Sequence, residues 1–231
     1  MVFVTNGIPS DFLRRPLSSD NNDDCKAYEY EYSGLDENEI TTSVPHFGVL
    51  KVGQDPISND SSPPTIIHGK HSECLAFILA KHGVSTQIVS SLQQVDAAAI
   101  RKLLWVSIMW LLCHDHDGHH EGPITVKTVH QTKRLHVRKL VMELIPAANL
   151  LLKRYHPRAR DNGNIGSVDE VVDYLEAYSY SMPNAIPNKL LAMDEFAQRN
   201  GFLLSTLESV SQPLHRDLVK RVVGYIPEFG C

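Results

Sequence analysis

Residues 95–113 constrain this chain more than any other stretch. The run VDAAAIRKLLWVSIMWLLC is apolar on most faces of a helix, and such a helix is stable in water only when other elements surround it. Its most apolar part, Leu103 to Cys113, is shorter than the ~18 uninterrupted apolar residues a membrane span needs, and it ends in a His/Asp cluster. A central helix needs several neighbours, and the chain after residue 70 supplies them. Helical periodicity marks 71–82, closed by Gly83. A second long helix is expected over 126–155, with Leu135, Leu140, Met142, Leu144, Ile145 and Leu150–Leu152 on its apolar side and a kink at Pro146. Ser167-Val-Asp-Glu170 has the form of a capping box and opens a helix to about Tyr178. Segments 193–206 and 213–223 complete the set.

Before residue 70 the signals are those of strands and loops. Val2–Thr5 is a short apolar run stopped by Asn6-Gly7. Lys26–Tyr32 alternates Tyr with Glu, and 39–52 is β-branched but broken by Pro45 and Gly48. Thr65–His68 reads as an edge strand, and 84–89 as one more brief strand. Charge divides the chain at a similar place. Residues 1–70 carry a net charge of -6 and the remainder +1. The reading is a small α/β piece over 1–70 followed by an all-α piece over 71–231.

Composition narrows the function classes. A hydrophobic fraction of 42% is enough for a sizeable core, and a net charge of -5 argues against a general nucleic-acid binder. Cys25, Cys74, Cys113 and Cys231 are widely spaced and form no metal-ligand pair. With no basic leader at Met1, a cytoplasmic, reducing location and no membrane partner are expected.

Several residues have the means for chemistry. His114-Asp-His-Asp-Gly-His-His-Glu121 offers metal-ligand types, but ligands must converge from several directions, and a solvated loop with no metal is the favoured reading. Residues 126–160 hold nine Lys/Arg against one acid, Glu143. An exposed basic helix face is favoured there over a phosphate site, because no aromatic residues interleave. Glu143 lies among apolar neighbours and needs a partner, catalytic or structural. Lys102, in a mostly buried helix, either donates a proton in a site or snorkels to the surface. Asn200-Gly201 reads as a helix C-cap, with Glu195 as a helix-surface acid.

In order along the chain, these features resemble the ketopantoate reductase family. VFVTNGIPSDF (2–12) is similar to a strand-Asn-Gly segment late in that family's Rossmann domain, and TTSVPHFGVLKVG (41–53) to the strands after it. LAKHGVSTQIVSSLQQVDAAAIRKLLWVSIMWLL (79–112) resembles the junction into the helical domain. YSYSMPNAIPNKLLAMDEFAQRNGFLL (178–204) and SQPLHRDLVKRVV (211–223) resemble its late segments. The resemblance implies a partial Rossmann-like sheet followed by a helical domain of the 6-phosphogluconate dehydrogenase C-terminal type, and a homodimer. It implies hydride transfer from NADPH (NADP as cofactor) to a small 2-keto acid. Lys102 would be the catalytic acid and Glu195 the acid beside it. Asn6 would sit by substrate and cofactor with Gly7, and Ser181 would hold substrate.

Two departures bear on this. The family places asparagines one and two turns after the lysine, where this chain has Val106 and Trp110. The sequence also contains no G-x-G-x-x-G turn, the element that brings backbone N–H groups to a pyrophosphate. A truncated or divergent oxidoreductase is the first reading. A non-catalytic helical dimerisation or interaction protein of the same descent is the second.

Overall fold

A computed structural model describes residues 2–4, 14–16, 30–32, 40–46, 62–115, 122–157, 164–205 and 211–226. Its contacts gather into two compact units. One holds the strands and the chain up to Ala99; the other holds most of the chain from Ile100 onward. Helical character begins near residue 70, whereas the contacts divide later, inside the long apolar helix.

In the first unit, β1 (Val2–Val4), β4 (Thr41–Val44), β5 (Thr65–Gly69) and β6 (Thr86–Ile88) form one sheet in that spatial order. The β1–β4 and β5–β6 pairs are parallel and β4–β5 is antiparallel. A separate antiparallel pair joins β2 (Arg14–Pro16) and β3 (Tyr30–Tyr32). The edge position expected for 65–68 is corrected: β5 has a partner on each side. Central placement needs apolar cover, and Ile67 and all of β4 are buried. Gly69 is required where β5 ends. Its φ is +115°, and a Cβ there would lie 1.8 Å from the Ile40 carbonyl oxygen. The Thr41 hydroxyl accepts from the His71 N–H at 2.8 Å, which leads the chain into α1 (Ser72–Lys81).

α2 (Leu92–His114) crosses from the first unit into the second. In the second unit it contributes Ile100, Leu104, Ile108, Met109, Trp110 and Leu111, all fully buried. Each such side chain contributes roughly 1.5–3 kcal/mol. Around it lie α3 (Val126–Tyr155), α4 (Val168–Ser181), α5 (Lys189–Asp194), a 3-10 turn at Phe196–Gln198, α6 (Asn200–Ser205) and α7 (Pro213–Val223). The capping box at α4 is complete. Ser167 N–H donates to Glu170 Oε2 at 2.7 Å, and Glu170 N–H donates to Ser167 Oγ at 3.3 Å. Gly224, with φ 89°, closes α7 in the left-handed conformation.

Four expectations for this unit are corrected. The helix over 193–206 is broken into the end of α5, the 3-10 turn and α6. Asn200-Gly201 is no C-cap but the buried start of α6. The non-helical backbone of α3 falls at Lys133 (φ -120°, ψ 21°), not at Pro146. Lys133 is also buried instead of standing on an exposed basic face. Its Nζ donates to the Asp115 carbonyl at 2.8 Å and reaches the Leu112 carbonyl at 3.5 Å. These carbonyls end α2 without helical partners, and a cation there also meets the negative end of the helix dipole.

Leu135, Met142 and Leu150 complete the departures. They are exposed, while Leu140, Leu144, Leu151 and Leu152 are buried. The lone acid Glu143 has a structural partner. Its two oxygens accept from the N–H groups of Leu214 (2.9 Å) and His215 (2.7 Å), the free donors in the first turn of α7. Gln212, the residue before α7, makes no side-chain cap of its own, so Glu143 caps α7 from another helix.

Candidate functional site

Lys102 lies on the second-unit part of α2 and is 8% exposed. Its burial, with the nearby Arg199 guanidinium as a lesser cause, brings the amine from its ordinary 10.5 down to about 8. Burial disfavours the charged form, and a like charge adds to the effect. A lysine in this range exchanges a proton near neutral pH, which an ordinary surface lysine does not.

One turn along α2, Trp105 fixes the end of α4. Its ring lies 4.5 Å from that of Tyr178, and its Nε1 donates to Ser179 Oγ at 2.8 Å. Ser179 Oγ donates in turn to the Leu175 carbonyl at 2.9 Å and lies 2.9 Å from His130 Nε2. Burial pushes the Tyr178 hydroxyl up to about 12, so it stays protonated. Ser181 is buried two residues beyond, and its hydroxyl donates to the Tyr178 carbonyl at 2.7 Å.

Glu195 stands half-exposed at the C-terminal end of α5 and forms an ion pair with Arg199 one turn later. Arg199 therefore links two residues singled out from sequence, since it pairs with Glu195 and its field reaches Lys102. Sequence reasoning assigned it no role. The signal was an arginine four residues after the acid, legible only once Glu195 was of interest.

Asn200 is fully buried beside this pair in sequence. Its side-chain Oδ1 lies 2.7 Å from His215 Nε2, while His215 Nδ1 lies 3.0 Å from Gln212 Oε1. The Gln212 amide nitrogen is already committed to the Leu203 carbonyl at 2.9 Å, so Nδ1 must carry the imidazole proton. Burial holds His215 down to about 4, which keeps the ring neutral. A neutral ring with Nδ1 donating is satisfied when Asn200 turns its N–H toward Nε2. The buried Asn200 thus anchors α6 to α7.

Asn6 and Gly7 lie outside the described residues, as do 116–121 of the His/Asp cluster. The two members described are engaged. His114 Nε2 lies 2.8 Å from the Pro187 carbonyl, and Asp115 pairs with Arg221 at 3.1 Å. Among the described residues no group of three His, Cys, Asp or Glu is placed to hold a metal ion. Among them, too, no helix is long and apolar enough to cross a membrane. Val106 is half-buried and Trp110 fully buried, so neither position presents an amide.

No sequence-family description matches the chain, and no curated protein matches it in sequence. Solved structures do match in fold. D-mandelate dehydrogenase in ternary complex with NADH and anilino(oxo)acetate superposes with a TM-score of 0.51 at 16% identity, over 80% of this chain and 73% of that one. D-mandelate dehydrogenase in complex with NADH gives 0.52 at 16% identity, over 82% and 63%. Over about four-fifths of its length, the chain has the fold of these dehydrogenases.

Proposed function

We propose that this chain belongs to an oxidoreductase that reduces a small 2-keto acid in the manner of the ketopantoate reductases, with Lys102 as the proton donor. The observation that carries the reading is the buried Lys102, lowered to about 8. Such an ammonium gives up its proton readily, and its charge stabilises the alkoxide that forms as a keto carbon accepts hydride. Glu195, through Arg199, sets the field at Lys102. Ser181 is assigned to holding the substrate by the ketopantoate reductase resemblance alone. Mandelate is itself a 2-hydroxy acid, so the fold neighbours work on the same functional group. The helical unit is taken as a 6-phosphogluconate dehydrogenase C-terminal-like domain. A nicotinamide dinucleotide, NADP by the ketopantoate reductase resemblance, is the hydride source.

The sequence supplies no G-x-G-x-x-G turn for the dinucleotide's pyrophosphate, so the residues here do not fit that part of the cofactor and no step is written through it. The chain's own residues are assigned only to the keto acid and the proton. The absent amides at Val106 and Trp110 weigh against ketopantoate itself and toward a less polar 2-keto acid.

Fluorescence titration with NADPH, followed by assay against a panel of 2-keto acids, tests the reading. Saturable binding and turnover are expected. Lys102→Ala should lower turnover by about 10²–10⁴-fold, and wild-type turnover should fall as pH rises through about 8, where Lys102 loses its proton. No saturable binding rules out catalysis by this chain, and unchanged turnover in Lys102→Ala rules out the role of the lysine.

A further inference from the structure

Arg199 and Glu195 pair one turn apart, with side chains 24% and 36% exposed. The pair is therefore shielded yet within reach of a ligand. Glu195 meets the arginine through Nη2. A guanidinium carries five N–H donors in a planar fork, and one carboxylate takes two of them in parallel, so donors remain for a second acceptor. The backbone under the fork is fixed on both sides. Arg199 N–H donates to the Phe196 carbonyl at 3.1 Å, and the Arg199 carbonyl accepts from Leu203 N–H at 3.1 Å. The next residue, Asn200, is fully buried and lies against His215. A donor fork on so firm a base holds a small ligand in one pose.

The place of this fork is costly unless a ligand uses it. Its field reaches the buried ammonium of Lys102, and like charges in a shielded place repel. A single ion pair at a surface gives back little. One turn after Lys102 on α2, Val106 has no polar group to offer an anion. A 2-keto acid matches the two cations. It is an anion at neutral pH, and its carboxylate carbon is bonded directly to its keto carbon. An ammonium at the keto oxygen and a guanidinium at the carboxylate must then stand within each other's field. The ligand's negative charge offsets the repulsion between them.

We infer that Arg199 is the carboxylate-binding residue of this site, its fork holding the acid group of a 2-keto acid whose keto oxygen faces Lys102, so that acids are selected over their uncharged amides. The inference rests on the reading of Lys102 given above. Glu195 orients the fork from its other side.

Binding needs no turnover and so tests Arg199 apart from the chemistry. Pyruvate and pyruvamide share a keto group and differ in charge. In calorimetric titration of the full chain, with and without NADPH, pyruvate should bind about tenfold or more tightly than pyruvamide. Arg199→Leu should weaken pyruvate by about 10–100-fold and leave pyruvamide unchanged. Arg199→Lys, which keeps the charge and loses the fork, should recover part of the loss. A purely structural arginine would not move a second readout: in carbon-13 lysine NMR, bound pyruvate should raise the titration midpoint of Lys102 above its resting value of about 8, and pyruvamide should not. Pyruvate that does not bind the wild type, equal affinity for acid and amide, or undiminished pyruvate binding in Arg199→Leu each overturns the assignment. The comparison of the two ligands on the wild type holds even where a variant fails to fold. Arg199-dependent pyruvate binding without reduction by NADPH would uphold Arg199 and end the reading of Lys102 as proton donor.

Discussion

Two lysines of the helical unit are buried to nearly the same degree and held in opposite ways. Lys102 is 8% exposed and Lys133 6%. Lys133 directs its ammonium at the carbonyls of Leu112 and Asp115, which end α2 and need donors. Its charge is met by the negative end of a helix. Lys102 lies within the field of another cation, Arg199, and its proton is held loosely. Burial alone therefore does not mark a lysine for chemistry; what surrounds the ammonium decides. One lysine cements a helix end, and the other is held where its charged form is disfavoured.

Stability should separate the two most sharply. The Lys102 amine binds its proton at 10.5 in the unfolded chain and at about 8 in the folded one. Between those values only the unfolded chain is protonated, so stability falls as pH drops from 10.5 toward 8, and the penalty is complete below 8. Lys102→Met should accordingly raise stability at pH 7 by about 3 kcal/mol, and the gain should vanish near pH 10.5. Lys133→Met should instead lower stability by about 1–3 kcal/mol, because two helix-end carbonyls lose their donor. Urea melts of both variants at pH 7 and 10 test the pair. A loss of stability in Lys102→Met at neutral pH would erase the distinction.

Glu143 extends the comparison to acids. Glu143→Gln keeps the shape but removes the charge that receives the first-turn N–H groups of α7. A loss of about 1 kcal/mol is expected, with turnover unchanged; loss of turnover without loss of stability would move Glu143 from cap to catalysis. The smallest effect concerns the field at Lys102. Arg199→Leu removes a positive neighbour and should move the alkaline limb of turnover to higher pH. Glu195→Gln leaves Arg199 without its counter-charge and should move that limb lower. Shifts in the same direction for both variants would refute the link through Arg199.

The sequence told much about the elements and less about their partners. The capping box at Ser167 and Glu170 and the bounds of α7 were legible because their signals are local: an acid three residues from a serine, a proline at a first turn. The position of β5 was not, since an edge strand and a short central strand look alike until their neighbours are known. The break at 195–199 was masked by continuous apolar spacing. On α3, six leucines with Met142 and Ile145 suggested one broad apolar side, yet the helix divides them between two faces.

By itself the sequence determined that a mostly apolar helix must stand at the centre of a helical unit, because no other arrangement removes that surface from water. It also determined which residue types were available for acid chemistry. Only the tertiary structure decided what each polar group meets. Glu143 finds α7 some seventy residues away, Lys133 finds the end of α2, and Lys102 finds Arg199. Such pairings depend on distance through space, which local periodicity does not encode, and the energy of a buried charge depends on those pairings above all.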